Sequence, residues 1–202
     1  MQEKAMKEHR VFPWWAGYLL LNPIRKMSCD PVALMGGYIK PGMTVLDAGC
    51  AMGFFSIPAA EMTGPGGRVI CVDPQAKMLN VLMRRAKKRK MDGIIDVREC
   101  SFDSLMVADI SGQVDVAVLF GVLHEVKDKA RCISEISDTL KDSALLIIGE
   151  PHVVTEDEFI DELGIVTSGE LIVEERHSRG NNKIAIVRKH TRGMKGYVAG
   201  QQ

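Results

Sequence analysis

From residue 44 onward, short runs rich in β-branched and other apolar residues alternate with stretches in which apolar residues recur every three or four positions. The first pattern suits strands buried on both faces, the second helices that pack on them. Candidate strands are 44–47, 68–72, 94–98, 114–120 and 144–149. Between them, Leu79, Leu82, Met83 and Ala86 share one helical face, and Ala130, Ile133, Ser137 and Leu140 share another. The alternation predicts βαβ units and a largely parallel sheet of five strands.

The order then changes. A short helix over 156–163 is followed by two extended runs, 170–175 and 183–188, separated by Ser178-Arg179-Gly180-Asn181-Asn182. Gly and Asn tolerate positive φ, so this linker reads as a hairpin turn. The fold class is therefore α/β, with a mixed seven-stranded sheet: five parallel strands plus a C-terminal antiparallel hairpin, and helices on both faces. Residues 1–43 are less regular, with Pro13, Trp14, Trp15, Tyr18 and Leu19 to Leu21 gathered before Pro23. They form an N-terminal helical cap that packs on a sheet edge or closes over the site as a lid. Residues 44–190 form the main domain, and 191–202 a loose tail.

Acidic and basic residues balance at 26 each over 202 residues. Nothing in that charge favours nucleic acid or an anionic membrane as partner, and a small-molecule substrate is the milder expectation. The longest apolar runs fall far short of the roughly 20 residues that span a bilayer, and the N-terminus lacks a secretory pattern, so a cytoplasmic location follows by default. Five cysteines with no CxxC pair argue for reduced thiols, with Cys71 and Cys132 as small buried hydrophobes. The run from Arg84 to Lys90 reads as a solvated helix face that follows an apolar stripe.

The densest chemistry lies in Val45-Leu46-Asp47-Ala48-Gly49-Cys50-Ala51-Met52-Gly53-Phe54, an apolar strand running into a loop of small residues. Such a loop lets a ligand approach the backbone closely. A dinucleotide fingerprint wants a third glycine where Phe54 stands, and a carboxylate at Asp47 repels a pyrophosphate but attracts a cationic ligand. A second acid, Asp73 of Val69-Ile70-Cys71-Val72-Asp73-Pro74, ends the next strand, where a carboxylate can accept hydrogen bonds from ribose hydroxyls.

Through VLDAGCAMGF, VICVDPQAKML, VDVAVLFGVLHEV and ALLIIGEPH, residues 44–190 resemble the class I S-adenosylmethionine (SAM)-dependent methyltransferases. They look most like the branch related to ubiquinone and menaquinone C-methyltransferases, and the resemblance implies a Rossmann-like sheet with SAM as cofactor. It also implies that Asp47, Gly49, Cys50, Ala51 and Gly53 line the methionine part of SAM, that Asp73 binds the ribose, and that Pro74 or Gln75 borders the adenine. Phe120 would offer its carbonyl near the methionine amino group. Ala51 replaces a glycine usual in this loop. The acid that often follows the third strand is displaced in Glu99-Cys100-Ser101-Phe102-Asp103, leaving the Ser101 amide and the Phe102 ring for the adenine.

Ligands of open α/β sheets bind outside the carboxyl ends of the strands. His124 follows the fourth strand and His152 the fifth, so these two are the candidate catalytic residues, with Glu125 and Glu150 as further candidates. Histidine is the natural base near neutral pH if the acceptor must lose a proton. No close-spaced pair of metal ligands is present. Competing expectations are a non-catalytic SAM-binding sensor or subunit and a nucleotide-dependent oxidoreductase, the latter disfavoured by Phe54 and Asp47. N-terminal aromatics dipping into a membrane interface, without stable insertion, and an arsenite site on Cys29, Cys50 and Cys100 are lesser ones.

Overall fold

A computed structural model describes Gly17, Leu21 and residues 29–190. In chain order these form α1 (Pro31–Met35), β1 (Thr44–Ala48), α2 (Ser56–Thr63), β2 (Arg68–Asp73), α3 (Ala76–Lys88), β3 (Ile95–Glu99), β4 (Val114–Phe120), α4 (Lys129–Thr139), β5 (Leu140–Glu150), α5 (Glu156–Val166), β6 (Leu171–Arg179) and β7 (Asn182–Lys189). Short 3-10 turns sit at Ala108–Ile110 and Leu123–Glu125. The strands make one sheet in the order β3-β2-β1-β4-β5-β7-β6. β1 to β5 pair in parallel, and β7 enters antiparallel between β5 and β6. The expected seven-stranded mixed sheet is present. Because β1 is flanked by both β2 and β4, the strand order reverses there, and open α/β sheets take ligands outside the carboxyl ends of strands at such a point.

The sheet's period of two sorts its side chains into two layers. Leu46, Ile70, Ala117, Leu119 and Ile148 face α4 and α5, where they bury with Ile136 and Phe159. Val45, Val69, Cys71, Val116, Val118 and Ile147 face the other way and bury with Met35 of α1, Ile57 of α2 and Leu82 of α3. Pro58 is tolerated in α2 because it lies in the first turn, where its missing N–H has no carbonyl to serve. Cys71 and Cys132 are buried, as expected of them.

Two local expectations need correction. Leu140 is not on a helix: α4 ends at Thr139, and β5 starts at Leu140 opposite Val114, then slips to pair Leu145 with Val116. The extra residues are absorbed in a bulge, with Ser143 at φ 62°. The buried face of α4 is accordingly Cys132, Ile133 and Ile136, and Ala130 is exposed. The hairpin turn is also tighter than the five-residue linker suggested. Arg179 pairs with Asn182, leaving Gly180 and Asn181 to turn the chain, with Gly180 at φ 57°.

Of the N-terminal segment, Asp30 caps α1 through a hydrogen bond from the Val32 amide at 3.0 Å, and Leu34, Met35 and Ile39 pack under the sheet. Leu21 rests on the cluster of Met52, Met78 and Val81, and a β-carbon on Gly17 would lie 2.9 Å from the Met52 terminal methyl. The aromatics Trp14, Trp15 and Tyr18 and the tail 191–202 lie outside the described residues. Among the described residues no helix is long and apolar enough to cross a membrane.

Candidate cofactor and acceptor site

The chain leaves β1 through a loop in which three of five residues have positive φ: Gly49 at 77°, Ala51 at 46° and Gly53 at 79°. The amides of Gly49 and Cys50 donate to the Val72 carbonyl at 2.9 and 3.0 Å, which ties the loop to β2. A β-carbon on Gly49 would fall 2.3 Å from Val122 Cγ2, and one on Gly53 2.2 Å from Leu82 Cδ1, so both positions need glycine on two counts. Ala51 has the same left-handed backbone with a methyl group attached, a conformation that costs about 1–2 kcal/mol. Its amide donates to Asp73 Oδ2 at 2.9 Å, a bond that holds it there.

Asp73 ends β2 almost fully buried, and its other oxygen accepts from the Gln75 amide at 2.8 Å. Burial raises its pKa, and the two amide bonds work against that rise. Those bonds leave lone pairs on both oxygens for further donors. Asp47 is 3% exposed and accepts from Ser56 Oγ, at the start of α2, at 2.5 Å. Burial pushes its carboxyl up to about 7; the Ser56 hydrogen bond opposes this and the field of Asp73 adds to it. Neither carboxylate forms an ion pair with a described residue. Two buried acids beside a loop of small residues fit a ligand that carries positive charge and hydroxyl donors, which SAM does. Cys50 is buried against Cys71, and its thiol is pushed up chiefly by burial.

Pro74 and Gln75 follow Asp73, half-buried, and Gln75 caps α3. Arg85 reaches back from α3 to donate to the Met52 carbonyl, and Arg89 pairs with Glu61 at 2.8 Å. Two members of the basic run thus tie α3 to the loop after β1 and to α2. The loop after β3 closes on itself. The Ser101 amide donates to the Ser104 carbonyl at 3.1 Å and its hydroxyl accepts from the Asp103 amide, so the amide expected near the adenine closes a turn. Glu135 of α4 holds this turn through the Leu105 amide at 2.6 Å and Ser104 Oγ at 2.8 Å, a link with no local signature. Phe102 stands out from it, 61% exposed.

At the ends of β4 and β5 the two loops are stitched together by the Gly121 amide, which donates to the Gly149 carbonyl at 2.7 Å. The Phe120 ring stacks at 4.7 Å on Phe55, just before α2, and occupies the space where Gly149 has no side chain. His124 is half-buried. Its Nδ1 lies 2.6 Å from Glu150 Oε2, and its amide donates to Glu150 Oε1 at 3.3 Å. Glu150 is wholly buried at the last position of β5. The Glu150 hydrogen bond raises the imidazole's pKa; burial opposes it, and the fields of Glu150, Glu125 and Glu162 reinforce it. Glu125 Oε1 lies 3.8 Å from Nε2. The structure thus pairs His124 with Glu150, whereas His152 is exposed.

Cys29 and Cys50 sit in the layer of α1 to α3 and Cys100 in the opposite one, so the sheet separates the three thiols considered for arsenite. The described residues contain no group of three or more His, Cys, Asp or Glu placed to hold a metal.

Comparison with known proteins agrees with this geometry. The family model for a methyltransferase domain matches residues 39–191. The chain is 27% identical over 130 residues to the ribosomal protein L11 methyltransferase of Thermotoga maritima, covering 64% of this chain and 44% of that protein. It is 29% identical over 128 residues to the ubiquinone biosynthesis O-methyltransferase of Methylocella silvestris, covering 56% and 47%. It therefore spans less than half the length of these relatives. Among solved structures, a SAM-dependent methyltransferase from Aquifex aeolicus superposes with a TM-score of 0.78 over 90% of this chain and 100% of that one, at 21% identity, a likeness of fold. With strand order, small-residue loop and family model in agreement, the chain belongs to the methyltransferase-domain family, within the class I SAM-dependent methyltransferase superfamily.

Proposed function

We propose that this protein is an enzyme that binds SAM above β1 and β2 and transfers its methyl group to a small-molecule acceptor seated over the ends of β4 and β5. The observation that carries the reading is the pair of buried acids, Asp47 and Asp73, flanking the strained 49–53 loop with no cation of the described chain beside them. When bound, SAM supplies an electrophilic methyl group on a sulfonium. Asp47 draws the ammonium of the methionine part, directly or through loop amides and water, and the Phe120 carbonyl accepts from the same group. Asp73 accepts from the ribose. Pro74 and Gln75 border the adenine from one side, and the exposed Phe102 ring covers it from the other.

On the acceptor side, Glu150 holds His124 with Nδ1 turned inward, which leaves Nε2 to take a proton from the acceptor. His152 lines the approach. Leu21 and Gly17, seated on Met52 and Met78 beside the loop, belong to the N-terminal segment that we assign as a cover excluding water. Relatives that act on ribosomal components make a macromolecular acceptor the outcome to test against.

Calorimetry of the purified protein with SAM and with S-adenosylhomocysteine tests the cofactor, and transfer of labelled methyl into metabolite, RNA and protein fractions tests the acceptor. Absence of any binding heat sinks the proposal. Binding without turnover in every fraction points to a sensor, and label in RNA or protein alone replaces the small molecule.

A further inference from the structure

The two halves of the site are tied to different strands. The loop after β1 hangs on β2, through the Gly49 and Cys50 amides to the Val72 carbonyl and the Ala51 amide to Asp73. The turn that carries His124 hangs on β5, through the Gly121 amide to the Gly149 carbonyl and through the His124 ring and amide to Glu150. In the order β2-β1-β4-β5 these anchors stand on opposite sides of the β1–β4 pair. The ladder of that pair ends at Ala48 opposite Leu119, one residue short of both the loop and the turn.

Beyond the ladder, a side chain joins them. A β-carbon at Gly49 would fall 2.3 Å from Val122 Cγ2, 3.2 Å from Cγ1 and 3.3 Å from Cβ, so Val122 lies with its branched end pressed on the Gly49 backbone. Val122 immediately precedes the 3-10 turn that holds His124, and its carbonyl accepts from the Glu125 amide at 2.9 Å, so a shift of Val122 carries the turn with it. It also packs against the layer of α4 and α5. Branching at the β-carbon leaves valine few rotamers, and Gly49, at φ 77°, has no side chain with which to yield. The contact is a stiff spacer between loop and turn.

Methyl transfer needs the reacting atoms aligned and about 3–3.5 Å apart, and a misplacement of about 1 Å costs on the order of 100-fold. The loop places the methyl donor and the turn places the base, so the spacer between them sets that geometry. We propose that Val122 is a positioning residue: through its contact with Gly49 it fixes how far the His124 ring stands from the sulfonium of bound SAM. The inference rests on the reading, given under Proposed function, that SAM lies over the 49–53 loop and that His124 is the base.

SAM and S-adenosylhomocysteine differ by one methyl group and one positive charge, which makes the His124 imidazole a gauge of its own distance from the sulfonium. Its titration is followed by NMR of the full chain with labelled histidine, saturated with either ligand, and assigned by loss of its signals in His124→Asn. Glu150 and Glu125 face the ring in both complexes, and Asp47 and Asp73 are common to both, so the difference between the two midpoints isolates the sulfonium. In the wild type the SAM complex is expected to titrate about 0.5–1 pH unit below the S-adenosylhomocysteine complex, because a neighbouring positive charge disfavours the imidazolium. Val122→Ala, which removes both γ-carbons, should change that difference by about 0.3 unit or more while SAM affinity stays within about threefold, and Val122→Thr, of the same shape, should keep it. Once an acceptor is known, Val122→Ala should lower kcat about tenfold or more with KM for SAM held, and Val122→Thr should restore most of the rate. A folded Val122→Ala whose difference matches the wild type within about 0.1 unit overturns the proposal. Should that variant fail to fold, the same match in Val122→Ile, where one more carbon presses on the loop, overturns it. No difference between the two ligands in the wild type separates His124 from the methyl group and ends the spacer role with it, whereas absence of binding heat with either ligand sinks the cofactor reading itself.

Discussion

Lowering the pH from 7 to 5 is expected to weaken SAM binding about 50-fold, and Asp47 is the reason. In the cofactor-free protein its carboxyl is pushed up to about 7, burial being the largest cause. With a cation beside it, the ionised form is favoured, so binding expels the proton that Asp47 carries at lower pH. Well below pH 7 each unit then costs about 1.36 kcal/mol, or a factor of ten in affinity, and because Asp47 is half protonated at pH 7 the step from 7 to 5 costs about 2.3 kcal/mol. The ligand's own α-amino group stays charged over that range, its ordinary pKa being about 7.7–8.0. Asp73, raised in the same direction, can only add to the effect. Calorimetry at pH 5, 6 and 7 in two buffers of different ionisation enthalpy reads both the affinity and the proton released, close to one at pH 5. Asp47→Asn should bind weakly at every pH with the slope gone. Wild-type affinities at pH 5 and pH 7 that agree within twofold would rule out Asp47 as the charge that SAM meets. Stability carries the opposite sign: a carboxyl whose folded pKa lies above 3.8 stabilises the fold at acid pH, and that contribution is lost as pH rises toward 7. A rise of about three units corresponds to about 4 kcal/mol in all, of which about 2 kcal/mol falls between pH 5.5 and 7.5, so the cofactor-free protein should melt higher at pH 5.5 than at 7.5 by more than Asp47→Asn does.

Three further outcomes follow from the same site. Ala51→Gly should raise the melting temperature by about 1–3 °C and leave SAM affinity equal or tighter, since relief of the left-handed backbone outweighs glycine's greater freedom when unfolded; a folded variant with tenfold weaker binding contradicts the loop geometry. Asp73→Ala should lose about 1.5–3 kcal/mol of SAM affinity, and also stability, because the Ala51 and Gln75 amides lose their acceptor, whereas Asp138→Ala on the exposed end of α4 should change neither; equal affinities remove Asp73 from the site. With a known acceptor, His124→Ala should keep SAM affinity and lower turnover about 100-fold or more, and His152→Ala, which has no buried carboxylate behind it, should lower it less. Full turnover in His124→Ala leaves catalysis to positioning alone.

The parallel strands were legible because burial on both faces writes an unbroken apolar run, and the 49–53 loop because only small residues fit a turn with three positive φ values. The early start of β5 was not. Leu140 follows α4 at helical spacing, and what makes it strand is a bulge against β4 that no local pattern encodes. The turn that Ser101 and Ser104 close was hidden for a related reason, since its anchor, Glu135, lies on a distant helix. His124 and Glu150 could be named from their places after β4 and at the end of β5, but not joined. Ser56 beneath Asp47 and the ion pair of Lys129 on α4 with Glu162 on α5 left no signal at all, because each contact is made between segments that meet only in the folded chain.

Gly149 sets a boundary on how this scaffold can be diversified. A β-carbon there would stand 2.1 Å from two atoms of the Phe120 ring, and that ring bears on Phe55 at the entrance to α2. Any larger residue at the tip of β5 would push through the two rings toward the helix that carries Ser56 and, with it, toward Asp47. Enlarging position 149 would therefore disturb the surroundings of Asp47 as well. Libraries that aim to change the acceptor should leave 149, 120 and the buried Val154 untouched and vary positions 152 and 153, which are open to solvent, so that a new side chain displaces only water.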